Sequence, residues 1–209
     1  VKQHILILGI GNVLWADEGF GVRCVEHINQ HFELPDNVEI LDGGTQGLYL
    51  VQHVQNCDIL VVFDAVDYGL EPGTLKIVEG DEVPKFMGAK KMSLHQTGFQ
   101  EVLALAEFAG GYPDELLLLG VQPEALEDFG GSLRDVVKDQ IAPAVQIAVD
   151  YLAERDTLLV PRPQAEASVA EDLSPNQLAI HVYESGRPDE DDACRIGDSR
   201  FMPKTEASH

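Results

Sequence analysis

One imidazole and two carboxylates stand where this sequence would need them to hold a cation. Glu18 lies in the turn that follows the first apolar run, Ile5-Leu-Ile-Leu8. Asp64 terminates the run Asp58-Ile-Leu-Val-Val-Phe-Asp64, which is otherwise apolar from Ile59. His95 sits in Ser93-Leu-His-Gln-Thr-Gly98, between a lysine-containing loop and a helical pattern. In open α/β sheets, ligand sites gather at the carboxyl ends of strands. Oxygen and nitrogen donors drawn from three separate elements to such an edge suit a divalent transition metal, and they leave coordination positions open to substrate or water. Each residue also has a plainer use: Glu18 as a helix-terminal acid, Asp64 as a turn cap, His95 as a surface residue before a helix. Spacing alone leaves both readings open.

The glycine-rich stretch Gly9-Ile-Gly-Asn-Val-Leu-Trp-Ala-Asp-Glu18 invites a nucleotide reading, which fails on two counts. The dinucleotide fingerprint needs a third glycine where Leu14 stands, and no Gly-Lys-Ser/Thr follows to make a P-loop. Asp17 and Glu18 would also occupy the positive helix-terminal field that a phosphate needs. Asp17 is expected to cap the helix that begins there. Asp42, ending the second strand, stands where a ribose-binding acid would belong, but without support. His27 and His31 have metal-sharing helical spacing, yet both lie off the stripe Val22, Val25, Ile28, Phe32 and read as a solvated face. There is no Gly-x-Ser-x-Gly elbow and no motif marking a reactive cysteine.

The elements that must position these residues alternate. Strand-like runs fall at His4–Leu8, Val38–Leu41, Asp58–Phe63, Thr74–Val78 and Leu116–Val121. Several are continuous rather than alternating, as for strands covered on both faces. Helical patterns begin at Asp17 and cover Gln46–Val54, Gln96–Phe108 and Ser132–Glu154. In the last, Ser132 and Asp135 have the spacing of a capping box, and Pro143 is expected to kink the helix or to mark a boundary. This order predicts an α/β three-layer sandwich: a twisted, mostly parallel sheet with helices on both faces. The domain is expected over residues 1–155. Residues 156–209, acidic and proline-containing, read as a mobile tail, docking briefly near Leu178–Tyr183.

Across 209 residues, 36 acidic side chains face 14 basic ones, a formal charge of −22. Such a field repels nucleic acid and anionic membrane surfaces, so neither is an expected partner. No apolar run approaches the roughly 20 residues of a bilayer span, nor is a signal-type segment recognisable, which predicts a cytoplasmic protein without membrane insertion. Cys24, Cys57 and Cys194 form no C-x-x-C pair, so neither a disulfide framework nor a thiolate zinc site is indicated.

Six segments occur in order at compatible spacings: LGIGNVLWADEGFGVRCVE, EILDGGTQGL, DILVVFDAVD, PGT, SLHQTGFQEVLALA and LLLLGVQPEAL. Together they resemble the nickel–iron hydrogenase maturation proteases over roughly residues 4–155, and the SLHQTGF form looks most like the branch serving uptake hydrogenases. The resemblance implies an endopeptidase that removes a C-terminal extension from the hydrogenase large-subunit precursor after nickel insertion. The family's metal-contacting Glu, Asp and His match Glu18, Asp64 and His95. Asp42, opening DGGTQG, matches the family's acidic loop, as a substrate-positioning residue or a turn cap. The nickel is expected to arrive with the substrate, with no permanently bound cofactor. Two competing readings are a metallopeptidase with its own bound metal, and a maturation chaperone that holds the precursor without cutting it.

Overall fold

The computed structural model describes residues 2–44, 47–88, 94–163, 173 and 178–186, and for residues 86–88 and 94–98 the backbone alone. Its centre is a five-stranded sheet built from β1 (Ile5–Ile10), β3 (Val38–Gly44), β4 (Ile59–Ala65), β5 (Leu75–Glu79) and β6 (Glu115–Val121), in the order β3-β1-β4-β6-β5. The first four run parallel, and β5 closes one edge antiparallel to β6. Every residue of β1 and β4 is buried, which is why their sequences read as unbroken apolar runs.

The pleat divides those runs between two cores. Ile5, Ile7, Val61, Phe63, Leu117 and Leu119 meet α1 (Phe20–His31) and α6 (Ile141–Ala153) on one face. Leu6, Leu8, Leu60, Val62 and Leu118 meet α2 (Val51–Gln55), α3 (Glu82–Gly88) and α4 (Leu94–Phe108) on the other. The expected three-layer α/β sandwich is therefore present. Asp135–Lys138 forms a separate short helix, α5, so the long pattern does break before Pro143. Pro143 falls in the first turn of α6, where its missing N–H forgoes no intrahelical bond.

Two expectations need correction. Ser132 does not cap α5: the N-cap position belongs to Arg134, and the Ser132 hydroxyl donates instead to Glu184 at 2.8 Å. Asp17 does not cap its own helix either, because its carboxylate is spent on a distant loop, as described below.

Beyond residue 155, Leu159 is buried in the core on the α1 side, and a strand ribbon and a helix also join the described residues to the sandwich. Val160–Pro161 (β7) pairs antiparallel with Phe32–Glu33 (β2), a two-residue ribbon too short to leave a periodic signal. Helix α7 (Ile180–Ser185) docks beside α5: Glu184 takes hydrogen bonds from Lys138 and Ser132, and buried Arg23 donates to the Leu178 carbonyl at 2.6 Å. Among the described residues, no helix is long and apolar enough to cross a membrane.

Candidate functional site

The carboxyl edge of the parallel strands gathers the acids. In register, Gly9 of β1 stands between Asp42 of β3 and Phe63 of β4, with Asp64 one residue further along. Asp64 is 2% exposed and pairs in register with Gly120. By the pleat it shares the face of Leu60 and Val62, the side covered by α4. Asp42 shares the face of Val38 and Ile40, the α1 side. The two aspartates thus reach the same edge from opposite faces. The Asp42 Oδ1 is shielded from solvent and lies 3.5 Å from where a Cβ on Gly44 would stand.

Glu18 reaches the edge through a tight turn. Ala16–Gly19 is a single 3₁₀ turn, entered through Ala16 in the left-handed region at φ 41°. Gly11, at φ 129°, makes room for it: a Cβ there would lie only 1.7 Å from the Glu18 carbonyl oxygen. The Gly11 N–H in turn donates to Gly44 O at 3.1 Å, tying the ends of β1 and β3 together. Glu18 is half-buried with its Oε2 shielded.

Asp17 holds this turn against the loop after β6. Its carboxylate is fully buried. Oδ2 accepts the backbone N–H groups of Glu124 and Ala125, each at 2.8 Å, and Oδ1 accepts that of Arg134 at 2.7 Å. Around it, Ala16 N–H donates to Gly131 O, Gly130 N–H donates to Leu14 O, and Trp15 meets Phe129 edge to face at 5.3 Å. The adjacent acids therefore part company: Asp17 faces inward as an acceptor for three main-chain donors, and Glu18 belongs to the edge.

His95 arrives from the third element. It is the second residue of α4, whose 15 residues span about 22 Å, the length of β4. The helix leads into β6, which starts at the amino edge, where Glu115 N–H donates to Asp58 O. Its first turn therefore lies at the carboxyl edge with Asp64. Glu18, Asp64 and the backbone of His95 occupy one end of the sheet, delivered by the β1–α1 turn, β4 and α4. Among the described residues, no three His, Cys, Asp or Glu side chains form a set able to hold a metal, so Glu18, Asp64 and Asp42 complete none by themselves.

The rival pair behaves differently. The rings of His27 and His31 stack at 4.1 Å, and burial together with the charge of His31 lowers the His27 pKa. Neither thiol near the cores is poised as a nucleophile: burial raises Cys24 well above its ordinary value, and Cys57 is pushed up to about 12 by burial and Asp58.

Sequence reasoning missed the wall beside Asp64. Gln122, 5% exposed, takes the N–H groups of Tyr68 and Leu70 on its Oε1 at 2.7 and 3.1 Å, and donates through Nε2 to Asp67. Gln122 lies within the segment LLLLGVQPEAL, but a buried glutamine leaves no periodic signature. Leu48 and Tyr49 in the 3₁₀ turn after β3, Leu70 after β4 and Phe129 after β6 add exposed apolar surface to the segments that leave this edge.

A sequence model of hydrogenase maturation proteases matches residues 22–151. Among curated relatives, the hydrogenase expression/formation protein HoxM of Azotobacter vinelandii is 65% identical over 201 residues, covering 96% of this chain and 95% of its own. The hydrogenase 2 maturation protease of Escherichia coli K12 is 43% identical over 161 residues, covering 77% of this chain and 97% of its own. Among solved structures, the hydrogenase maturating endopeptidase HybD from E. coli superposes with a TM-score of 0.72 at 42% identity, over 76% of this chain and 98% of that one.

Proposed function

Because this chain belongs to the hydrogenase maturation protease family, we propose that it cleaves the C-terminal extension from a nickel–iron hydrogenase large-subunit precursor after nickel insertion, recognising the nickel that the substrate carries. The observation that carries the reading is the meeting of Glu18, Asp64 and the first turn of α4, with His95, at one edge of the sheet. Two carboxylates and an imidazole are oxygen and nitrogen donors suited to a divalent first-row ion. Burial sharpens that preference, since an ionised carboxylate removed from water gains most from an opposing cation.

In this reading Glu18, Asp64 and His95 grip the substrate's nickel and thereby test whether metallation is complete. The metal supplies Lewis acidity toward the scissile carbonyl or an attacking water. The chain supplies position: the Gly43-Gly44 backbone at the end of β3 admits an extended peptide, and the exposed Leu48, Tyr49 and Phe129 offer apolar contacts to it. Asp42 acts from the α1 side, either on that peptide or on the turn at Gly44. The reaction belongs to the cytoplasm, where the precursor is made.

Incubation with nickel-loaded precursor, followed by mass spectrometry, tests the proposal. The wild-type chain releases the C-terminal peptide, whereas Asp64→Asn, Glu18→Gln and His95→Ala remain folded and leave the precursor at full mass. Normal processing by any of the three removes that residue from the nickel site. Equal cleavage of loaded and nickel-free precursor overturns recognition through nickel. Stoichiometric metal in the purified chain points instead to a peptidase with its own ion, and binding without any mass shift to a chaperone.

A further inference from the structure

Helix α7 has no part in the site chemistry above. We propose that its Glu184 is a positioning residue for the turn that carries Glu18, acting through Ser132 and Lys138. The inference rests on the proposed role of Glu18.

The Ala16–Gly19 turn does not hold its shape unaided. Ala16 enters it at φ 41°, a left-handed conformation that a residue with a Cβ keeps only where its surroundings enforce it. Two segments flank the turn and enforce it. The first is the loop after β6. There Gly131 O accepts the Ala16 N–H at 3.2 Å, Gly130 N–H donates to Leu14 O at 2.8 Å, and Arg134 N–H donates to Asp17 Oδ1 at 2.7 Å. The second is α1, which follows the turn directly from Phe20.

The chain at 178–186 grips both. Ser132 is next to Gly131 and two residues from Arg134, and its hydroxyl, on a buried residue, donates to Glu184 Oε1 at 2.8 Å. Lys138, at the end of α5, donates to the two Glu184 oxygens at 2.8 and 2.9 Å. Arg23, in the first turn of α1 and 4% exposed, donates to the Leu178 carbonyl at 2.6 Å. Ile180 and His181 line one cavity with Arg23 and His27 of α1 and with Lys138 and Ile141 of α5 and α6, so α7 bridges the two segments. A carboxylate accepts on both oxygens, and Glu184 uses that capacity to fix the loop to α5. With Ser132 held, Gly131 and Arg134 keep their places against the strained turn, and the turn keeps Glu18 at the carboxyl edge. The later chain is in this sense a strap for the site.

The test follows variants of the full chain in steady-state processing of nickel-loaded precursor, with hydrogen exchange on the same proteins. Glu184→Ala is expected to raise KM roughly fivefold, the factor that a part-exposed charged contact carries. Its kcat changes less, and its Tm falls by no more than about 4 °C. The Ala16 and Arg134 amides exchange faster in this variant, and those of β4 do not. Ser132→Ala has a smaller effect of the same kind. The double variant Ser132→Ala/Glu184→Ala is no worse than Glu184→Ala, because the hydroxyl acts only through the carboxylate. The reversed pair Lys138→Glu/Glu184→Lys keeps an ion pair between α5 and α7 and recovers most of the loss. A wild-type KM in Glu184→Ala, with Glu18→Gln inactive, overturns the role of Glu184 and leaves the site reading intact. A reversed pair that processes no better than Glu184→Ala overturns it as well. Normal processing by Glu18→Gln refutes the parent reading instead.

Discussion

Replacing Asp17 by alanine removes one carboxylate and strands three main-chain donors: the N–H groups of Glu124, Ala125 and Arg134, bound at 2.8, 2.8 and 2.7 Å. The side chain they share is completely buried. A buried donor left without an acceptor costs about 1–3 kcal/mol. Three such donors sum to about 3–9 kcal/mol, and water entering the space that the carboxylate vacated brings the expected loss to about 4–5 kcal/mol. For a chain of this size each kcal/mol moves Tm by about 2–4 °C, so Asp17→Ala lowers it by about 8–20 °C. Asparagine provides a finer test. With its oxygen in the place of Oδ2 it keeps the two bonds from Glu124 and Ala125, now without the charge, and turns an NH₂ toward the Arg134 N–H. That variant should lose about 2–3 kcal/mol, roughly half as much. Thermal and urea denaturation give the magnitudes, and hydrogen exchange gives the location: the amides of Glu124, Ala125 and Arg134 lose protection before those of β4. A Tm loss of less than about 3 °C for Asp17→Ala, or an asparagine variant as unstable as the alanine one, would refute this account of the turn.

Two further outcomes follow from the same structure. Glu184 is subject to burial, which raises its pKa, but hydrogen bonds from Lys138 and Ser132 outweigh that and leave it below 4.5. A depressed carboxylate contributes stability above its unfolded value that is lost as pH falls through the lower folded one. The Tm gap between wild type and Glu184→Gln is therefore full near neutral pH and closes below 4.5; because the pair is part-exposed, the gap stays within about 1 kcal/mol. A gap that widens on acidification refutes the assignment. Cys24 and Cys57, both buried with raised pKa values, should resist iodoacetamide at mildly alkaline pH until the chain unfolds, as read by peptide mapping. Labelling of either in the native protein contradicts their burial.

The strands were legible because burial on both faces writes itself as an apolar run, and all five expected runs became the central sheet. The helices α1, α2, α4 and α6 were legible to within a few residues because one face of each is apolar, whereas α3, seven residues with Val83 turned into the core, was not expected. The ribbon of Phe32–Glu33 with Val160–Pro161 was not, since two residues carry no period. Ser132 misled for a related reason: its spacing to Asp135 is that of a capping box, but a partner 52 residues away took its hydroxyl.

By itself the sequence determined the fold class, the family, and the acids and histidine that the sheet brings to one end, because parallel strands put their carboxyl ends at a common edge. Only the tertiary structure decided how neighbouring acids divide their work. Asp17 and Glu18 are adjacent and chemically alike, yet one is consumed by three N–H groups more than a hundred positions away and the other is left at the edge. The structure alone also set Tyr68 over Gly120, a contact created by strand register and by the absence of a single methyl group. Local pattern records which face a residue must bury; it does not record which distant main chain will meet it there.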